Sequence, residues 1–521
     1  MNEAKHPRIC VPICVSHARD LPQMLERAAH VADIIELRLD CLDGAQFDTA
    51  LQELGALLHA NVRPLILTFR PAEQGGQRAL DFFDRVGFWS SGWRSWYGGK
   101  NQKPELVDIE LDLLDSCHVW KFNELIEQQR VICSHHDFVG IPADLVKIYE
   151  RMAATSARIL KIAVQADEIT DCIPIFQLLE RARLEGREMI AIAMGEAGVA
   201  TRILAPSRGA FLTYGAQDEA HQTAPGQLSA KDLRELYRVH QLNERTDITG
   251  LIGAPVAHSV SPHMHNAAFA ARKVNAVYVP FEVRNLEAFI RRMAHPRTRE
   301  LVWNLRGLSV TAPHKSEVLN YLDWIEPSAR EIGAVNTIVF EDDALHGYNT
   351  DADAFLAPLK NMIGDLRDAR CAVIGAGGAS RGVLWSLRHA GANATVFARN
   401  EGRAQKLAEQ FSADARKLDG ANFKNFDAVI NATPLGTRGT SENETPAVAS
   451  QLEGASIAYD LVYNPHETCF LREARHGGCK VIGGLQMLVD QAAAQFELWT
   501  KETAPQDVMR EAAEKQLNSL A

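Results

Sequence analysis

The chain is poor in the features that mark membrane, secreted or nucleic-acid-binding proteins. No apolar stretch is long enough to span a bilayer, and the opening MNEAKHPRIC lacks the apolar core of a secretory leader. Positive charge is in deficit. Lys and Arg number 55 against 66 Asp and Glu, and the net charge of −11 argues against nucleic acid as the main partner. Cysteine is sparse: nine residues, an odd number, are scattered along the chain. Cys10 and Cys14 are close, but they read as part of one apolar strand and not as a metal-knuckle turn. A reduced cytoplasm is therefore the expected compartment.

What is present is ordinary globular composition, 46% hydrophobic and 23% charged, over 521 residues. That length exceeds one hydrophobic core and predicts two to four domains. Eight apolar, β-branched runs precede residue 220: 8–15, 34–39, 64–69, 106–111, 130–135, 158–164, 188–194 and 210–215. Segments of helical period, such as DLPQMLERAAHVAD and ADLVKIYERMAAT, lie between most of them. Eight βα units in this span predict a (β/α)8 barrel with its chemistry at the C-terminal strand ends.

Lys161 lies inside the sixth run, ARILKIAV. Burial there disfavours the ammonium and favours the neutral amine that a Schiff-base nucleophile needs; a lysine snorkelling to water from a strand end is the competing reading. Around it, Glu36 and Arg38 share one face of the second strand. Arg70 ends the third, Asp108, Glu110 and Asp112 lie on the fourth, and His135, His136 and Asp137 follow the fifth. Arg202 follows the seventh, and Thr223 and Gln227 begin and end TAPGQ beyond the eighth. Guanidinium forks suit an anionic substrate, and a histidine beside an amine suits proton shuttling in imine chemistry. Glu36, Arg38 and the strand-four acids, taken alone, read equally as barrel ion pairs.

The motifs ELRLD, TFRPAEQGG, DIELD, SHHDF, LKIAV, MGEAGVATRI and TAPGQ occur in an order and spacing that resemble type I 3-dehydroquinate dehydratase, over roughly residues 8–240. The resemblance implies Lys161 as nucleophile and His136 as general acid/base. It implies Glu36, Arg38, Arg70, Arg202, Thr223 and Gln227 as substrate-binding. Gln74 stands where that family has a glutamate that orients the histidine, so either the histidine is less basic or the neighbouring Glu73 takes the role. The aromatic segment 81–104 matches the family poorly and reads as a packing face or a lid.

Residues 216–247 read as a loop and a helix (SAKDLRELYRVHQLNERT), with a domain boundary near 245. The turn RCAVIGAGGASRGVLWSL joins an apolar strand to a helical pattern, as at a dinucleotide pyrophosphate site, although Ser380 departs from GxGxxG. Arg399 and Arg403 after the next strand favour the 2′-phosphate of NADP over the ribose diol of NAD. Upstream, Lys315 and Asp351 form a candidate proton-transfer pair for reducing a ketone. The hydroxyls and amides of Ser259, Ser261, Thr311 and Asn336 suit a polyhydroxylated acid, or else cap helices and turns.

HSVSP, VTAPHK, GAVNT, GYNTD, GAGGA, NATPLG, YDLVYNP and GLQMLVDQAA resemble shikimate dehydrogenase over about 248–521. That resemblance implies Lys315 as the catalytic acid/base and Asp351 as its partner. Ser259, Ser261, Thr311, Asn336, Tyr463 and Gln491 would hold substrate. Gly375, Gly377, Gly378, Ala379, Arg399, Arg403, Thr433 and Gly484 would line NADP(H), with Ala398 replacing an asparagine usual in the family.

The expected organisation is a dehydratase barrel (1–240), a substrate-binding domain (246–352, completed by helices in 487–521) and a Rossmann-like NADP domain (353–486). Together the resemblances imply two consecutive steps on small-molecule substrates: dehydration of 3-dehydroquinate, then NADPH reduction to shikimate. They imply no metal, membrane or nucleic-acid partner, and they leave the oligomeric state open. Gln74 motivates a rival in which the barrel is an inactive structural or regulatory module.

Overall fold

The computed structural model describes residues 7–46, 49, 63–92, 104–116 and 127–519. Its main division lies between Thr246 and Asp247, with segments 279–294 and 298–304 clustering with the first unit.

The first unit is the expected barrel. Its strands are β1 (Ile9–Ile13), β2 (Ile34–Arg38), β3 (Leu65–Thr68), β4 (Leu106–Glu110), β5 (Val131–Asp137), β6 (Ile159–Gln165), β7 (Glu188–Met194) and β8 (Thr213–Tyr214). They pair in the order β7-β6-β5-β4-β3-β2-β1-β8. Each strand thus lies beside its neighbour in sequence, and β8 returns to β1. The Phe211 N–H donates to the Met189 carbonyl at 2.8 Å, which brings the approach to β8 back to β7 and closes the ring. The strands are apolar on both faces because one face fills the barrel and the other lies under helices. Cys10, Ile34, Ile66, Leu106, Ile132, Ile159 and Ile190 share one core cluster near the strand N-termini.

Two expectations change, and a third is narrowed to one of its alternatives. The segment SAKDLRELYRVHQLNERT is not one helix: short turns at Asp232–Leu236 and Val239–Gln241 flank Arg238, whose φ is 51°. Burial of Leu233, Tyr237 and Val239 fixes this path against local helix propensity. The cysteines are not all free. Cys14 lies just past β1 and forms a disulfide with Cys41, which follows β2; a 27-residue separation gives no local signal. In the aromatic segment, Phe82–Gly87 is helical and Trp89 is fully buried. The Phe88 ring packs on Phe69 at 4.3 Å, so this part is a packing face. Residues 93–103 of the segment lie outside the described residues.

After the barrel come two more sheets. β9 (Asp247–Gly253), β10 (Ala276–Glu282), β11 (Leu305–Val310), β12 (Trp324–Ile325), β13 (Thr337–Glu341) and β14 (Ala344–Tyr348) form a mixed sheet in the order β10-β9-β11-β13-β14-β12. β15 (Arg370–Ile374), β16 (Asn393–Ala398), β17 (Asp414–Lys417), β18 (Ala428–Asn431), β19 (Ile457–Asp460) and β20 (Lys480–Ile482) are all parallel. Their order, β17-β16-β15-β18-β19-β20, is that of a dinucleotide-binding sheet, with its switch point between β15 and β18. Helices Leu485–Thr500 and Gln506–Ser519 share a core with helix Ser261–Arg272 through Met264, Phe269, Val489, Phe496 and Met509. Among the described residues no helix is long and apolar enough to cross a membrane.

Candidate active sites

In eight-stranded barrels, alternate strands contribute layers of four inward side chains. Here β2, β4, β6 and β8 contribute Glu36, Asp108, Lys161 and Tyr214, where an apolar layer is usual. The Lys161 Nζ donates to Asp108 Oδ2 at 2.8 Å, to Tyr214 OH at 2.9 Å and to Glu36 Oε1 at 3.3 Å. The Lys161 side chain is only 5% exposed and that of Asp108 is fully buried, so the charges face each other in a medium of low dielectric. Sequence reasoning read Asp108 as an ion-pair residue and missed Tyr214. Position at a strand end, two residues before Ala216 in AFLTYGA, was the available signal.

Above this layer opens a cleft lined by Glu36, Arg38, Arg70, Gln74, His136, Lys161, Arg202, Tyr214, Thr223 and Gln227, with Phe138, Ile192 and Met194 among its apolar walls. The cleft gathers every barrel residue singled out from the sequence for binding or catalysis. Arg38 is locked by Asp40 through two bonds of 2.9 and 2.8 Å, and it also donates to the Gly75 carbonyl at 3.0 Å. Arg70 pairs with Asp108 at 2.8 Å and donates to His136 Nδ1 at 2.7 Å. Guanidinium is always a donor. The His136 ring therefore accepts at Nδ1, and in its neutral form it carries the proton on Nε2. Burial, Arg70 and Lys161 push its pKa well below the usual value, which keeps the ring neutral.

The role expected for the residue at position 74 is corrected. The Gln74 Oε1 accepts from the backbone N–H of His136 at 3.2 Å and does not hold the ring. Glu73 is exposed and does not line the cleft. Arg202 is buried and donates to the Pro225 carbonyl at 3.1 Å; its Nε has no partner among the described residues. With no carboxylate to offset desolvation, its pKa is pushed down to about 10. A buried guanidinium with no carboxylate beside it is chemically suited to an anionic ligand. Gln227 accepts from the Thr223 N–H at 2.8 Å, which fixes the loop beyond β8.

The second site lies on the mixed sheet. Lys315, beyond β11, donates to Asp351 Oδ2 at 2.7 Å. Asp351 begins helix Asp351–Ile363, where the helix dipole favours its charge. Its other oxygen accepts from Asn336 at 2.8 Å, and Asn336 also donates to Thr350 Oγ1 at 2.9 Å. The Ser259 Oγ accepts from the Ser261 N–H at 3.2 Å. Thr311 lies four residues before Lys315 and its N–H donates to the Ile252 carbonyl at 2.9 Å. The Gln491 carbonyl accepts from Thr350 Oγ1 at 3.2 Å, tying helix Leu485–Thr500 to this cluster. Burial pushes the Tyr463 phenol up. Sequence reasoning missed a buried chain beneath it, in which Tyr278 OH donates to Ser309 Oγ and Ser309 Oγ donates to Gln495, each at 2.8 Å.

The dinucleotide turn follows β15. Gly375 has φ 119°, and a Cβ there would approach the Ala432 carbonyl oxygen at 3.0 Å, so glycine is required. Gly377 and Gly378 open onto free space at the N-terminus of helix Gly378–His389, and the adjoining Ala379 is exposed. This is the geometry that admits a diphosphate to free N–H groups. Ser380, the departure from the glycine pattern, donates to the Gly375 carbonyl at 2.9 Å and accepts from Gly377 N–H at 3.3 Å, so it braces the turn. Thr433, just beyond β18, donates to Asn431 Oδ1 at 2.6 Å. Arg399 and Arg403 are exposed beyond β16. Gly484 caps helix Leu485–Thr500.

Comparison with known proteins matches Type I 3-dehydroquinase over residues 9–244 and the shikimate dehydrogenase substrate-binding domain over 251–338. Residues 358–454 match shikimate/quinate 5-dehydrogenase, and 484–514 match the shikimate 5'-dehydrogenase C-terminal domain. The chain is 32% identical to the chloroplastic bifunctional 3-dehydroquinate dehydratase/shikimate dehydrogenase of Arabidopsis thaliana, over 96% of this chain and 83% of that protein. It is 30% identical to the shikimate biosynthesis protein AroDE of Chlamydia pneumoniae, over 94% and 95%. Its second half is 42% identical to the shikimate dehydrogenase (NADP(+)) of Moorella thermoacetica, over 52% of this chain and 93% of that one.

Proposed function

We propose how the residues of this chain, which belongs to the family of bifunctional 3-dehydroquinate dehydratase/shikimate dehydrogenase proteins, divide the work of two consecutive reactions. The barrel, residues 1–240, dehydrates 3-dehydroquinate to 3-dehydroshikimate. The module formed by 246–352, 353–486 and the helices within 487–521 reduces that product to shikimate.

In the barrel, Lys161 as a neutral amine attacks the substrate ketone, and loss of water gives an iminium. His136 removes the proton beside the iminium and gives it to the departing hydroxyl, which leaves as water as the enamine collapses, and hydrolysis of the product iminium frees the enone and Lys161. Arg202, the buried cation with no carboxylate beside it, takes the substrate carboxylate. Arg38, Arg70, Glu36, Thr223 and Gln227 take the hydroxyls. Proton removal by His136 calls for a free lone pair on Nε2. Arg70 must therefore release Nδ1, and its turn toward the substrate does so. The observation that carries the reading is Lys161 buried among two carboxylates and a phenol at the floor of a cationic cleft.

In the second module the open glycines and helix N-terminus after β15 fit a dinucleotide diphosphate. Gly375, Gly377, Gly378, Ala379, Thr433 and Gly484 would hold NADP(H), with Arg399 and Arg403 on its 2′-phosphate. When bound, that cofactor supplies the hydride. Lys315 gives a proton to the ketone oxygen, Asp351 holds Lys315 in place, and Asn336 fixes Asp351. Ser259, Ser261, Thr311, Tyr463 and Gln491 orient the substrate. Among the described residues five buried thiols are free, which favours a cytoplasmic setting, while the Cys14–Cys41 disulfide runs against it.

The test is borohydride reduction in the presence of 3-dehydroquinate, followed by peptide mass analysis. An adduct on Lys161 is expected. Turnover without any adduct on Lys161 contradicts the imine route.

A further inference from the structure

Tyr214 has no part in the reaction as set out so far, yet its hydroxyl touches the reacting nitrogen. The three partners of Lys161 Nζ differ in kind. Asp108 and Glu36 are carboxylates, which only accept, whereas a phenol both accepts and donates. Tyr214 OH receives an N–H from Lys161 at 2.9 Å and stands 3.4 Å from Glu36 Oε1, toward which it donates. Its ring lies beneath the ammonium, with Nζ 4.5 Å from the centroid. The phenol therefore bridges the nitrogen and one carboxylate.

Lys161 must lose a proton before it can attack a ketone. Asp108 is the shortest contact but a poor acceptor, since Arg70 and Lys161 hold its carboxyl well below the usual range. Glu36 remains. It carries no arginine in its described ion pairs, only Lys161 at 3.3 Å, and accepts from Thr68 at 2.8 Å.

We propose that Tyr214 is a further catalytic residue of the dehydratase, relaying the proton from Lys161 Nζ to Glu36. An N–H bond of the ammonium breaks as an O–H bond forms on the phenol oxygen. The original phenolic O–H breaks as an O–H forms on Glu36. The products are a neutral amine, an unchanged phenol and a carboxylic acid, with no oxidant or reductant involved. Run in reverse, the relay returns the proton to Lys161 after the product leaves. Burial and the neighbouring carboxylates push the phenol pKa well up, so the relay is always loaded with its proton.

This inference rests on the reading of Lys161 as the imine-forming residue. Tyr214→Phe keeps the ring and removes the hydroxyl. Imine formation, followed by rapid mixing with 3-dehydroquinate and borohydride quench, is expected to slow about tenfold, a fraction of a full general acid–base contribution because Glu36 stays within direct reach. In the variant the rate should climb with pH as solvent hydroxide takes over. In the unaltered enzyme the proton inventory in H2O/D2O mixtures should be curved, reporting two protons in flight. Adding Tyr214→Phe to Glu36→Gln should cost no more than Glu36→Gln alone. Reductase turnover serves as the folding control. Equal rates and pH profiles for the parent and Tyr214→Phe, or a linear proton inventory in the parent, overturn the relay while leaving the imine in place. Absence of a Lys161 adduct in the parent overturns both.

Discussion

Lys161 and Lys315 each face an aspartate at nearly the same distance, 2.8 and 2.7 Å. Their surroundings differ. The Lys161 side chain is 5% exposed and is ringed by two carboxylates and a phenol, with Arg70 fixing the nearer acid. Lys315 is 26% exposed and Asp351 19%, with only an asparagine behind the acid. Under the proposed roles, the same ion pair would serve two chemistries: enclosure would keep water from an amine that forms a covalent bond, while partial exposure would let a lysine recover a proton from solvent after giving one away.

Substitution of the two lysines is the strongest way to break this comparison. Lys161→Ala should lower dehydration by about 10⁴-fold or more, as expected for loss of a covalent nucleophile, and leave reduction unchanged. Enone absorbance and NADPH oxidation read the two activities separately. Lys315→Ala should lower reduction by about 10²–10⁴-fold and leave dehydration unchanged. Loss of both activities in either folded variant would join what the comparison separates.

Arg202 sharpens the barrel side. Arg202→Met should raise the dehydratase KM by about 100-fold, the scale of a lost buried charge contact, with a smaller effect on kcat. It should also stabilise the barrel. Burial lowers this pKa from 12.5 to about 10, so the folded state disfavours the charged form at neutral pH, and that penalty fades only as pH rises above about 10. Thermal unfolding of the variant at pH 7 checks the gain.

Glu110 lies between Arg70 and Arg85, and burial raises its pKa from 4.5 to about 7. A raised carboxyl pKa means that the folded state holds the proton more tightly. Its contribution to stability is therefore present at low pH and is lost as pH rises from 4.5 through 7. Glu110→Gln should flatten that slope by about 3 kcal/mol across the window, measured by denaturant unfolding at each pH. The smallest effect is expected on the exposed side of the second module. Arg399→Ala should narrow the preference for NADP over NAD by about tenfold, the worth of one charge-assisted contact, and steady-state kinetics with both cofactors decide it.

Much of this was legible in the chain because it is local. All eight barrel strands, the strand–glycine–helix turn after β15 and the convergence of Lys161, His136 and the arginines on one mouth follow from apolar runs and the polar residues at their ends. What was not legible depends on ring closure and register. Its strand-end position marks Tyr214 as a candidate, but only ring closure through β8 brings it to Lys161, 53 residues away. The Arg70 contact with His136 spans 66 residues and decides which nitrogen carries the proton. The pairing of Cys14 with Cys41 follows from β1 and β2 lying side by side. The segment around Arg238 failed for the opposite reason: its local propensity is helical, and burial of its apolar residues overrode it.

The most direct test of the central claim gives the purified chain 3-dehydroquinate alone, with enone absorbance followed, and then adds NADPH. Two separate lysine sites on one chain predict enone formation first and NADPH consumption after the addition. No enone from 3-dehydroquinate, with NADPH still oxidised when 3-dehydroshikimate is supplied, would contradict the account by showing a working reductase beside a barrel without chemistry.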